Sequence, residues 1–270
     1  MKKIFFASLI VFSALSCSNN GEELNTTDFQ NPAVTNLSSN RISSSASRFI
    51  SDQQIEQIGK MHNQGLQEVF TQFNWSTSDG KVEIINKFNS VSYVKDNNLN
   101  FDQKIYSLEE NMTRIKNNLV NVNNFEYFQN VIKFLNDDSD KDFEKIQAFL
   151  LEENERMKEN SNEVRDYETF LVFTTVIKYS AKFWLDTEIG GLNNYENFSV
   201  QRGAPSSKKG WRKCLTDVLV SDGSSAGAGF IVGAVVAAAS GPVAPFTFIG
   251  AIAAEAGMGS AFTYFSSSNC

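Results

Sequence analysis

Residues 226–262 read AGAGFIVGAVVAAASGPVAPFTFIGAIAAEAGMGSAF, and small residues recur in this stretch at every fourth position. Small side chains at positions i and i+4 of a helix form a shallow groove that lets a second helix approach closely. The Gly-Pro-Val-Ala-Pro sequence at 241–245 interrupts the pattern, because proline ends a helix. We therefore predict a Gly/Ala-rich helical hairpin over residues 215–270. Its helix-packing residues are Gly229, Gly233, Ala237, Gly241, Ala253, Gly257 and Ala261.

Charge is almost absent from this hairpin. Residues 215–270 contain no Lys or Arg, and their acidic residues are Asp217, Asp222 and Glu255. The first apolar run, 226–239, has 14 residues, and Glu255 interrupts the second, so both differ from the 20 or so apolar residues of a membrane-spanning helix. Two interpretations remain open: the hairpin packs on the rest of the chain, or it contacts a membrane or a protein partner.

The roughly 60 last residues resemble the glycine-zipper hairpins of class II bacteriocin-like peptides, which also often open with an aromatic and basic stretch such as Trp211-Arg212-Lys213-Cys214. Those peptides disrupt membranes, so the resemblance implies membrane activity. The chain as a whole is also similar to a group of uncharacterised bacterial exported lipoproteins. This second resemblance rests on the N-terminal signal, on Met61-His62-Asn63-Gln64-Gly65-Leu66 and on the hairpin, and it implies no activity.

The N-terminus predicts export. Lys2 and Lys3 precede the apolar run 4–15, and Ala14-Leu15-Ser16-Cys17 resembles the cleavage box of bacterial lipoproteins. We predict a signal peptide at 1–16 and a lipidated Cys17 that holds the protein on a membrane of the bacterial cell envelope. Ser18 is typical of outer-membrane sorting, and Glu22-Glu23 resembles the acidic tract of surface-exposed lipoproteins. The alternative is an ordinary signal peptide followed by a chance cysteine.

The mature chain divides by composition. From residue 18 to 47, 16 of 30 residues are Ser, Asn or Thr, which predicts a flexible tether over 17–48. No proline occurs between Pro32 and Pro205, and apolar residues recur every three or four positions, which predicts an α-helical domain over 49–200. The segment 201–214 contains five basic residues and no acidic ones, and we interpret it as a basic linker. The predicted fold is all-α, a helical bundle followed by the hairpin.

A disulfide between Cys214 and Cys270 is predicted from the hairpin geometry. Once Cys17 is acylated these are the two thiols left, and export places them where disulfides persist. Cys214 precedes the first hairpin helix and Cys270 ends the chain. Two antiparallel helices that turn at 241–245 would bring both cysteines to the same side.

The sequence contains little that predicts catalysis. The chain has one His and three Cys without CxxC spacing, so we predict no metal site and no cofactor. A net charge of −7 argues against a nucleic-acid partner. His62 lies on the apolar stripe of the first helix between Ile58 and Leu66, which indicates a core histidine. The functional alternative is a general base paired with Glu56 or Glu68.

These observations predict a surface-anchored, non-catalytic helical lipoprotein whose body or hairpin contacts a partner. The alternative is a membrane-active, bacteriocin-like effector that presents the hairpin to a bilayer. A hydrolase that uses His62 is a third and more distant interpretation.

Overall fold

The computed structural model describes residues 48–72, 81–90, 95, 105–137, 141–185, 208–240 and 245–266. These residues belong to one compact unit that spans residues 39–270. The predicted signal peptide, Cys17, the tether up to residue 47, Gly241 and Cys270 lie outside the described residues. The predictions made for them stay predictions.

The described residues form eight α-helices and no strand, which confirms the predicted all-α fold. The helices are α1 (Asp52–Gln72), α2 (Lys81–Ser90), α3 (Leu108–Asn118), α4 (Phe125–Asn136), α5 (Phe143–Asn160), α6 (Val164–Leu185), α7 (Lys208–Ser240) and α8 (Pro245–Ser266). A short 3₁₀ turn at Val122–Asn124 precedes α4.

Capping residues set where several helices begin. Ser51 accepts a hydrogen bond from the backbone N–H of Gln54, and Gln54 accepts one from the backbone N–H of Ser51, so Ser51 is the N-cap of α1. Asp142 is the N-cap of α5, and its side chain accepts a hydrogen bond from the backbone N–H of Lys145, one of the first N–H groups of the helix that have no partner within it.

Helix α6 lies at the centre of the bundle. It packs against α1, α5 and α7, and most of its side chains are buried. Trp184 at its C-terminal end lies against Phe70 of α1 and Tyr264 of α8, with ring centroids 5.4 and 5.3 Å away. These aromatic contacts join the first, sixth and eighth helices at one end of the core.

Helix α7 uses glycine on two of its sides. A Cβ atom on Gly233 would lie 2.1 Å from the Phe248 ring of α8, and a Cβ on Gly229 would lie 2.7 Å from the Glu255 carboxylate. On another side, a Cβ on Gly223 would lie 2.6 Å from the Ile177 side chain of α6. Both approaches are closer than an alanine allows, so α7 packs tightly against α8 and α6 at once.

The side of α8 that contacts α7 is not the side on which the regularly spaced small residues Ala253, Gly257 and Ala261 lie. The α8 residues close to glycine or serine positions of α7 include Phe248, Ile252, Glu255, Gly259 and Thr263. At about 100° per residue, Ala253, Gly257 and Ala261 lie on a different side of α8, the side that also carries Tyr264. They are buried there, and the ring of Tyr264 lies 5.5 Å from that of Phe70 of α1.

The predicted linker and hairpin are continuous in the structure. Helix α7 begins at Lys208, so residues 208–214 of the basic segment are helical, and no break separates them from residue 215. Cys214 is fully buried and forms a disulfide bond. The other cysteines of the chain, Cys17 and Cys270, lie outside the described residues, so the identity of its partner stays a prediction.

We expect Cys270 to be that partner. Closing a loop of about 55 residues would remove roughly 4 kcal/mol of unfolded-chain entropy on the polymer model, which supports glycine-rich helices of low intrinsic propensity. Peptide mapping of unreduced protein should yield a cross-linked peptide that contains Cys214 and Cys270. A cross-link from Cys214 to Cys17, or two reactive thiols per mature chain, would contradict the pairing.

Candidate functional site

Four polar side chains from four helices meet in the middle of the core. His62 comes from α1, Ser180 from α6, Asp222 from α7 and Ser260 from α8, and each residue is fully buried. We call these residues the buried polar cluster. Moving an ionisable pair out of water costs several kcal/mol per ion unless hydrogen bonds and an opposite charge compensate. The partners of these four side chains therefore determine how the cluster affects the stability of the core.

Asn63 fixes the orientation of the His62 ring. The Asn63 amide nitrogen donates to the backbone carbonyl of Tyr179 at 2.8 Å, so its amide oxygen must be the atom 3.0 Å from His62 Nδ1. An amide oxygen only accepts hydrogen bonds. His62 Nδ1 therefore carries a proton and donates it, and Nε2 points at Asp222.

Asp222 is bound mainly through one of its two carboxylate oxygens. Ser180 donates a hydrogen bond to Oδ2, Ser260 donates another at 3.0 Å, and His62 Nε2 lies 3.3 Å from the same atom. Among the described residues Oδ1 has no hydrogen-bond partner, and His62 Nε2 meets Oδ2 at ion-pair distance but without hydrogen-bond geometry. Burial raises the pKa of the Asp222 carboxyl, while His62 and the two hydroxyl groups act to lower it.

A second polar network links the hairpin to α3. Arg114 donates to Glu255 of α8 at 2.9 Å and to the Asn111 amide oxygen at 3.0 Å. The Asn111 amide nitrogen in turn donates to Ser225 of α7 at 3.0 Å. Burial raises the pKa of Glu255, and Arg114 acts to lower it. Of the three acidic residues of the hairpin, Asp222 and Glu255 are thus bound by residues from outside it.

Two further buried carboxylates on α6 bind backbone from neighbouring segments. Asp166 accepts from the backbone N–H groups of Val120 and Asn121 at 2.8 and 2.9 Å, and this fixes the turn between α3 and α4. Glu168 accepts from the backbone N–H groups of Phe49 and Ile50 just before α1. Their partners are mainly backbone donors, so we assign both carboxylates a structural role.

The structure places His62 in the core, as the sequence indicated, but gives it a different carboxylate partner. Glu56 binds Lys178 and Tyr179 instead, each at 2.6 Å, and Glu68 accepts from Gln64 at 3.3 Å. Sequence reasoning missed Asp222. The available signal was an acidic residue inside a long stretch without basic residues, because such a carboxylate needs a partner from elsewhere in the chain.

The buried polar cluster contains the side chains of an acid–base site, but a substrate cannot reach them. A general base has to come within hydrogen-bond distance of its substrate, directly or through one water, and all four cluster residues are fully buried. Two grooves in the described part of the chain are lined by other residues. One lies between α1, α5 and α6, with Glu56, Leu151 and Lys178 in its wall.

Within the described ranges, no three His, Cys, Asp or Glu side chains lie close enough together to hold a metal ion. None of the helices described combines the length and apolar content that crossing a bilayer requires. Comparison with protein-family models, with curated proteins and with solved structures found no match to this chain.

The pairing predicts that His62 stabilises the fold. Replacing His62 with Ala leaves the Asp222 carboxylate buried without its cationic or proton-sharing partner, which should lower the free energy of unfolding at pH 7 by about 3 kcal/mol. The control is Glu56→Gln, which also removes a charge next to α6, but at a half-exposed ion pair. That change should cost less than about 1 kcal/mol. Urea denaturation measures how much each variant lowers the free energy of unfolding. Equal losses would show that the buried pair stabilises the fold no more than the half-exposed pair does.

Proposed function

We propose that the protein is a non-catalytic helical lipoprotein of the bacterial cell envelope, anchored through an acylated Cys17 and active through contacts made by its helical body. The structural part of this proposal rests on one observation, the position of the hairpin within the fold. Its glycine positions are filled by the protein's own side chains, and two of its acids are bound by α1, α3 and α6. A hairpin bound in this way serves as the core of the body.

Two features support a contact role rather than a catalytic one. The only histidine of the chain is buried with its carboxylate partner and is out of reach of a substrate. The groove between α1, α5 and α6 has a volume of about 210 Å³ and combines charged walls with apolar residues, of which Leu151 is 57% exposed. Such mixed, concave surfaces suit binding of another molecule.

The anchoring half of the proposal rests on the order of the basic, apolar and small-residue segments before Cys17. We expect the mature protein to start at Cys17 and to carry acyl chains, each buried methylene of which adds roughly 0.8 kcal/mol of membrane affinity. Intact mass of the protein from the membrane fraction tests this. A mature N-terminus elsewhere, or a Cys17 without added acyl mass, would contradict it.

A membrane-active effector is the second candidate, and the apolar, Gly/Ala-rich composition of the hairpin is the observation behind it. Residues 215–270 lack Lys and Arg, and in the folded chain the acids Asp222 and Glu255 are paired with His62 and Arg114 outside the hairpin. In this alternative the hairpin is packed in the bundle until the protein meets a target bilayer, where the hairpin separates from the other helices.

Dye release from liposomes separates the two candidates. Arg114→Met removes the cation that binds Glu255, and Lys116→Met removes a nearby cation of the same helix that lies over the Phe125 ring instead. If the hairpin is a structural core, the wild-type chain and both variants should cause no leakage. Leakage by the wild-type chain that rises in Arg114→Met but not in Lys116→Met would favour the effector.

A further inference from the structure

The contact between His62 and Asp222 requires a proton. His62 Nδ1 is committed as a donor to Asn63, so a neutral ring would present the Nε2 lone pair to Asp222 Oδ2 at 3.3 Å. An ionised carboxylate presents lone pairs as well, and two facing acceptors repel each other. The contact is an ion-pair distance rather than a formed hydrogen bond, and it is favourable only when one of the two atoms carries a proton, as an imidazolium beside a carboxylate or as a neutral ring beside a carboxyl group.

Within the part of the chain that the structure describes, no other charged group takes over this role. The groups that face Asp222 are His62 from α1 and the hydroxyls of Ser180 from α6 and Ser260 from α8. On the α3 side, the Asn111 amide nitrogen donates to Ser225, three residues further along α7, and the Asn111 amide oxygen accepts from Arg114. Among the described residues, His62 is therefore the titratable partner of Asp222.

We propose that His62 and Asp222 share a single proton in the folded protein, and that this proton is a latch whose loss at alkaline pH releases the α7–α8 hairpin from α1 and α6. The position of the pair suits this role, because the cluster joins all four helices at one level of the core. This inference does not depend on the proposed function.

Proton counting gives the direction of the effect. The folded pair holds two protons, one on Nδ1 and one shared. In an unfolded chain an Asp loses its proton near pH 3.9 and an imidazole near pH 6.5. The folded state thus holds one proton more than the unfolded chain above about pH 6.5, an equal number between the two values, and one fewer below about pH 3.9.

Stability should therefore be flat between about pH 4 and 6.5 and should fall on both sides. Above pH 6.5 the equilibrium constant for unfolding should rise by up to about tenfold per pH unit until the folded pair releases its proton. The raised pKa of the Asp222 carboxyl acts in the same direction. A group whose pKa is higher in the folded state than in the unfolded chain stabilises the fold at low pH, and this stabilisation is lost as the pH rises through the folded-state pKa.

Asp222→Asn tests the latch directly. The Asn side chain can donate its own N–H to the neutral His62 Nε2, so it replaces the shared proton with one that does not titrate. The wild-type chain should show the alkaline loss of stability between pH 6.5 and 9, and Asp222→Asn should lack it. Asp217→Asn is the matched control, since Asp217 is a partly exposed acid of the same helix whose partner is Lys213. If Asp222→Asn loses as much stability above pH 6.5 as the wild-type chain does, the proposal is wrong.

The wild-type protein provides a second readout that needs no folded variant. The chain has a single histidine, so its imidazole NMR signals belong to His62 without further assignment. The latch requires Nδ1 to carry a proton throughout the range from pH 5 to 8, and amide hydrogen exchange of α7 and α8 to accelerate above pH 6.5 beyond the intrinsic base catalysis. A ring protonated on Nε2 alone, or exchange protection that does not change with pH, would refute it.

Discussion

A carboxylate in the middle of an apolar helical hairpin has to be bound by the chain around it, and Asp222 places this constraint on four helices. Its partners come from α1, α6 and α8, so these helices must meet α7 at the level of one residue. A shift of any of them along its axis would leave a buried polar atom without a partner, at a cost of about 1 to 3 kcal/mol or more for a charged group. The cluster therefore sets the register of the core.

Such a site adds more to the specificity of the fold than to its stability. The attraction within a buried pair is largely offset by the loss of hydration, whereas removal of one partner is costly. Asp166 and Glu168 act in the same way on α6, since each binds backbone N–H groups of a neighbouring segment. Buried carboxylates thus direct where the loops and helices of this bundle attach.

Close packing explains why the hairpin is continuous with the bundle. Gly229 and Gly233 let α8 approach one side of α7, while Gly223 lets α6 approach another. Glycine is about 1 kcal/mol worse than alanine in a helix, so these helices need the contacts on both sides to persist. The glycine content that resembles a membrane-active peptide is used here to bring three helices of one core together, and the shared proton at His62 and Asp222 lies where they meet.

The sequence by itself determined the elements that follow from local periodicity. The apolar spacing predicted an all-α fold and His62 in the core, because both depend on residues within one or two turns. It also indicated a helical hairpin with Gly229 and Gly233 as contact positions. Only the tertiary structure decided which sides of the hairpin meet which helices, and that Asp222 is the partner of His62. These two residues are 160 positions apart in the chain, and their pairing depends on how the helices pack together, which no local pattern encodes.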